Sequence, residues 1–313
     1  MVFPASLARI GVGGGSGVRR TERFTTEGAE VTEKSEEYEV LRLETETGWW
    51  LVTHPDHARL AGAFAERWGN DRFLPPEPRV NVLKGIARHD DGWLARDAMP
   101  QITRHGKPSA FSTELVGKYS AFEEIDLADY LGVRDRAVRL IASEDPYAAV
   151  LISMHTYSLL NDHADRSTIA AADLPLLDQF LEQQRAFQQS LRQQIAADSR
   201  FTPEQAGEAT ILDHFRLLQA TDNLSLLTCV DFRQPAHLLH PLPLRNGEYA
   251  YVKVRSIGAR HFVLDPWPFA VRTLTFEFPA RYVESETFGS AADLQSQYSA
   301  AVLRTLPVTV SAH

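Results

Sequence analysis

The chain has 313 residues, 44% of them hydrophobic, which is enough to bury the core of one or two domains. Its 41 acidic residues outweigh 32 basic ones for a net charge of -9, which argues against nucleic acid as a partner, because that affinity comes from neutralising phosphates. Cys229 is the single cysteine, so no internal disulfide forms, and no apolar run approaches the roughly 18 residues of a membrane span. With no apolar secretory signal at the start, the expectation is a soluble cytoplasmic protein without a membrane partner.

Residues 1–36 read as a flexible N-terminal extension. They hold the run Gly11-Val12-Gly13-Gly14-Gly15-Ser16-Gly17, but neither a following Lys-Ser or Lys-Thr nor an amphipathic helix makes it a phosphate loop. Order is predicted from Tyr38. Val40 to Val52 reads as a β-hairpin around Thr45-Glu46-Thr47-Gly48. Thr53 then N-caps a helix, with Pro55 in its first turn and Asp56 at N3, and Leu60, Phe64 and Trp68 follow along one face. Gly69-Asn70 ends that helix, and a proline-rich loop leads to a second, roughly Arg79 to Trp93, whose apolar stripe carries Val82, Ile86, His89 and Trp93.

Residues 98–120 read as loop. Asp145 caps a third helix with Pro146 at N1, and its almost wholly apolar interior from Ala148 to Leu160 contains His155. Residues 173–197 read as a long amphipathic helix with a glutamine-rich solvated side. Thr202-Pro203-Glu204-Gln205 has the capping-box pattern for a further helix, whose stripe of Phe215, Leu218, Leu226 and Cys229 is interrupted by Asp222. Beyond Pro241 the pattern changes. Tyr249 to Val254, Arg260 to Leu264 and Val271 to Phe278 read as strands, and Ala291 to Leu303 as a last helix. The expected fold class is mainly α, a helical core with a small β-rich subdomain formed by the N-terminal hairpin and the C-terminal strands. The expected divisions are 1–36, 37–240 and 241–313.

His57, His89-Asp90, His155 and Asp222 therefore fall on separate predicted helices, several of them inside apolar stripes. A buried imidazole or carboxylate requires a partner, because leaving it unpaired costs several kcal/mol, roughly. A divalent metal is one such partner, and a mutual hydrogen-bond network is the other. This mixed nitrogen and oxygen set suits Fe, Mn, Zn, Ni or Co, with no thiolate to favour a softer ion.

The order His57, His89-Asp90, Asp222 resembles the signature of the HD-domain metal-dependent phosphohydrolases. More closely, Pro55-Asp56-His57-Ala58-Arg59-Leu60-Ala61-Gly62, Trp68-Gly69-Asn70, His89-Asp90-Asp91-Gly92-Trp93, Asp145-Pro146-Tyr147-Ala148-Ala149, Met154-His155 and Asp222-Asn223-Leu224-Ser225-Leu226 resemble DUF3891, an uncharacterised bacterial family, over roughly residues 38–300. The HD resemblance implies an HD-like helical core in which His57, His89, Asp90 and Asp222 bind one divalent ion. Asp90 could then bridge to a second ion, and His155 would match the additional helix-borne histidine of two-metal members. His163, in a polar loop, reads as solvated.

The chemistry implied is hydrolysis of a small phosphate ester by metal-activated water. Asp91 or His155 would assist proton transfer, and Arg59, Lys84 and Arg88 would meet the phosphate of a small-molecule substrate. A di-iron oxygenase and a non-catalytic metal or ligand sensor are the alternatives.

Overall fold

The computed structural model describes residues 40–111 and 126–313. The glycine run and the extension over 1–36 lie outside the described residues, as does the end of the stretch read as loop over 98–120. Strands β1 (Val40–Glu44) and β2 (Trp49–Val52) form the expected antiparallel hairpin. Thr53 follows at once and turns the chain into α1 (His54–Arg67). Its hydroxyl accepts from the Asp56 amide at 3.1 Å and donates to Asp56 Oδ2 at 2.6 Å. Leu60, Phe64 and Trp68 are buried along one face, and Gly69, at φ +115°, takes the left-handed turn that ends the helix.

Helix α2 (Arg79–Ala87) is shorter than its stripe suggests. The chain leaves helical geometry at Arg88 (φ -121°), turns through His89 and Asp90, makes one 3-10 turn over Asp91–Trp93 and enters the short α3 (Leu94–Asp97). The cause is visible at Gly92. A Cβ there would sit 2.2 Å from the Val133 carbonyl oxygen, so the turn lies directly against α4 (Leu127–Ala142). Asp126 caps α4 by accepting from the Asp129 amide. Asp145 does the same for α5 (Pro146–Ser158), which runs on into a π-helical turn at Leu159–His163. The amphipathic α6 spans Leu174–Ala197. The Thr202–Gln205 capping box forms reciprocally, at 3.0 and 3.2 Å, but it closes an isolated turn; α7 (Glu208–Cys229) starts after it, with Gly207 as its N-cap.

The expectation of a mainly α fold is overturned. The described residues are about 47% helical and 21% strand, and much of the strand lies in one curled mixed sheet. After α7 come β4 (Ala236–His237), β5 (Leu242–Pro243), β6 (Tyr249–Ala250), β7 (Lys253–Gly258), β8 (His261–Asp265), β9 (Thr273–Val283), α8 (Ala291–Ala300) and β10 (Leu303–Ala312), while β3 (Ala110–Phe111) lies before α4. The strand order is β3-β1-β2-β9-β10-β8-β7-β4. The β1/β3 and β8/β10 pairs are parallel and the rest antiparallel. Strands β5 and β6 form a separate pair.

Two prolines hid this sheet. Pro279 stands inside β9, where the predicted strand stops at Phe278, and Pro307 stands inside β10, which the sequence reading did not find. Proline lacks the amide that a central strand donates. Here Leu306, Val308 and Val310 alternate into the core regardless, and nine register pairs tie β10 to β9. One hydrophobic cluster runs from Leu60, Phe64 and Ile86 on the helices to Phe276, Phe278 and Val308 on the sheet. Phe64 meets Phe276 edge to face, with ring centroids 4.6 Å apart. Among the described residues no helix is long and apolar enough to cross a membrane.

Candidate metal centre

Four segments converge under the sheet. The first turn of α1 supplies His57, the turn after α2 supplies His89 and Asp90, α5 supplies His155 and α7 supplies Asp222. All are buried, with Asp222 the most exposed at 6%. Two overlapping triads, His57/His89/Asp90 and His89/His155/Asp222, each hold ligand atoms within 4.8 Å of one another.

The outer hydrogen bonds fix which ring nitrogens face inward. His89 Nδ1 lies 2.7 Å from the Ile86 carbonyl oxygen, which only accepts, so Nδ1 carries the proton and Nε2 presents its lone pair to the centre. Ser225 donates its hydroxyl proton to the Asp222 carbonyl at 2.7 Å, and so it accepts from His57 Nδ1 at 2.9 Å. That leaves His57 Nε2 facing inward, 3.0 Å from Asp90 Oδ2. His89 Nε2 stands 3.3 Å from Asp222 Oδ1 and 3.6 Å from Asp90 Oδ2. His155 Nε2 lies 3.9 Å from Asp222 Oδ2. His57 Nε2 and His89 Nε2 thus face the carboxylates of the two overlapping triads, with their Nδ1 protons committed to Ser225 and to the Ile86 carbonyl oxygen. Hydrogen bonds of this kind, made on the far side of the ring, orient imidazoles for a metal.

The sequence reading missed Arg134. It lies buried on α4 and donates from Nη1 to Asp90 Oδ1 at 2.5 Å. Its Nε donates to the Tyr130 hydroxyl at 3.1 Å, and its guanidinium stacks over Trp93, 5.3 Å from the ring centroid. The other side of the frame is His54, whose ring stacks on Trp93 at 4.3 Å and bonds Asp97 through Nδ1 at 3.1 Å. The stripe Leu127, Tyr130, Leu131, Val138 and Ile141 carried the missing signal, since Arg134 interrupts it as Asp222 interrupts its own.

Burial is the largest influence on every titrating group of the cluster; it favours neutral forms. In Asp90 the charges of Arg134 and His89 overcome it and hold the carboxyl well below its ordinary range. Asp222 is likewise lowered against burial, chiefly by His89. In His89 burial is outweighed by Asp90 and Asp222, which push the imidazole up to about 9. His155 is pushed down to about 3 by burial, and His57 is lowered by the same cause. Two carboxylates against one guanidinium leave one negative charge, and a proton on His89 balances it. A divalent cation can take that proton's place.

The remaining predicted residues lie around this cluster. Asp91 points between two cations, with Oδ1 2.6 Å from Arg59 Nη1 and Oδ2 2.6 Å from Arg88 Nε. Arg88 also reaches Glu144 at 3.4 Å, and Lys84 lies 3.4 Å from Asp145, the cap of α5. His163 ends the π-helical turn after α5. A separate cleft of about 370 Å³ lies further up α7, lined by Trp68, Pro76, Glu77, His214, Leu217 and Arg245.

No curated relative and no solved structure matches the chain. A family model described as protein of unknown function (DUF3891) matches residues 40–285, a span that contains every residue of the cluster. The chain therefore belongs to the DUF3891 family.

Proposed function

We propose that the protein is a metal-dependent hydrolase whose substrate is a small phosphate ester. The observation that carries the metal reading is the pair of buried triads, His57/His89/Asp90 and His89/His155/Asp222, that share His89 and each hold their ligand atoms within 4.8 Å of one another. Fe, Mn, Zn, Ni and Co all fit this donor set. A bound ion of this kind lowers the pKa of its water and neutralises charge on a phosphoryl oxygen. The phosphate assignment rests on the order of the ligands along the chain, which resembles that of HD-domain phosphohydrolases. In this reading His155, 3.9 Å from Asp222 Oδ2, is the residue placed to move the proton of the attacking water.

One observation favours a second reading, a non-catalytic metal-binding protein. The cluster is almost closed, whereas a catalytic ion keeps a coordination position open to substrate.

Metal content decides first. Protein purified without added metal is expected to carry near-stoichiometric transition metal by elemental analysis, lost in both His89→Ala and Asp222→Ala. The metal-loaded chain is then assayed on a panel of phosphomonoesters and phosphodiesters. Turnover that disappears with the metal supports the hydrolase, while full metal occupancy without turnover favours the second reading. Substoichiometric metal that neither variant changes, and that incubation with these ions does not restore, overturns both.

A further inference from the structure

We infer that the centre holds a single metal ion, and that Arg134 fixes it in that state by occupying the oxygen of Asp90 a second ion would need. The inference rests on the metal reading above and narrows it.

Three observations carry it. The two triads share His89, and His89 has only Nε2 to offer, because its Nδ1 proton is held by the Ile86 carbonyl oxygen. One imidazole lone pair serves one ion, so the triads are two halves of one shell rather than two sites. Asp90 is the carboxylate placed to bridge. Its Oδ2 faces His57 and His89, while its Oδ1 is taken by Arg134 Nη1 at 2.5 Å. Arg134 is not free to swing aside, since Tyr130 holds its Nε and Trp93 lies against its guanidinium.

Charge gives the third argument. One divalent ion and Arg134 against Asp90 and Asp222 leave a single positive charge, which one anionic ligand from outside the chain cancels. Two divalent ions would leave three positive charges in a buried site, and a buried charge without a partner is costly. Two further carboxylates of the same turn and the helix after it are already paired, Asp97 with His54 and Asp91 with Arg59 and Arg88. Arg134 is thus a positioning residue: it restricts Asp90 to one coordinating oxygen and supplies fixed charge where a two-metal centre would place a second cation. This arrangement disfavours the di-iron oxygenase chemistry implied by a bridging Asp90.

The test is titration of the metal-free full-length protein with Mn(II), read by elemental analysis and by electron paramagnetic resonance. Saturation at one Mn(II) per chain, with the hyperfine pattern of an isolated ion, is the expected result. Two ions per chain with an exchange-coupled spectrum would overturn the inference and leave the metal reading intact. No binding at any concentration would overturn the metal reading and this inference together. Arg134→Met is expected to raise saturation above one ion and to bring in the coupled signal, whereas Arg134→Lys keeps a single isolated ion. A folded Arg134→Met that still stops at one isolated ion overturns the role given to Arg134. Should Arg134→Met fail to fold, Arg134→Ala takes its place with the same two outcomes, since it likewise leaves Asp90 Oδ1 without its donor.

Discussion

Ser225 shows how much of the candidate centre depends on atoms outside the His/Asp cluster. Its hydroxyl accepts a hydrogen bond from His57 Nδ1 and donates its own to the Asp222 carbonyl oxygen, so the imidazole can present only Nε2. Ser225→Ala is expected to weaken metal binding by roughly 10–100-fold, measured by chelator competition, with little change in fold. His214 follows the same logic away from the centre. The Glu77 amide donates to Nε2 at 3.3 Å, and Nδ1 donates to the Tyr147 hydroxyl at 2.8 Å, whose own proton goes to the Gln205 carbonyl. A second ring proton would face a donor, and burial pushes the imidazole down from 6.5 to about 4. Between those values the unfolded chain binds the extra proton, so stability rises with pH. The contribution is complete above 6.5 and is lost as the pH falls towards 4, on the order of 3 kcal/mol in all. His214→Gln keeps a donor and an acceptor without titrating, and should flatten the acid limb of a stability curve measured by denaturant unfolding. A limb identical to wild type would contradict this account of His214.

At the scale of elements, the turn after α2 depends on the absence of a side chain. Gly92 lies so close to α4 that a Cβ would meet the Val133 carbonyl oxygen at 2.2 Å and the Ala137 amide nitrogen at 2.9 Å. Gly92→Ala should therefore force α4 outward at a cost of roughly 1–3 kcal/mol, read as a lower unfolding midpoint. Because α4 carries Arg134, metal affinity should fall with it. These elements also show what the sequence could disclose. Thr53 and Asp145 announced α1 and α5 because capping chemistry is local, and with them came His57 and His155. His89 and Asp90 were found through the α2 stripe although the helix stops at Ala87, since what ends it is contact with a distant helix. Helix α4 went unread because Gly132, Arg134, Asp135 and Arg136 break up its apolar pattern. Strand β10 went unread because Pro307 counts against a central strand, and the long register with β9 that outweighs it is a property of the assembled sheet.

For the whole molecule, the sheet and the centre are consecutive parts of one path. Strand β2, paired on both sides, passes through Thr53 directly into the turn that holds His57. The centre therefore sits on a fixed base, and its ligands are all buried. Metal release to a chelator is expected to level off as chelator concentration rises, because the opening of the site sets the rate, and to slow when the protein is stabilised. Release that increases in proportion to chelator at every concentration would show a centre open to solvent.

The spread of the ligands along the chain has a consequence for where the ion comes from. Residue 57 and residue 222 meet only after α1, α5, α7 and the turn at His89 have come together, so no short segment of the nascent chain holds the whole set. Under the proposed metal reading, an ion would meet its full set of donors only once these elements have closed. Its identity would follow what the surroundings supply, weighted by the intrinsic affinity order of the metals. Two samples of the same chain prepared in different media would then carry different metals, a record of their history held in the site.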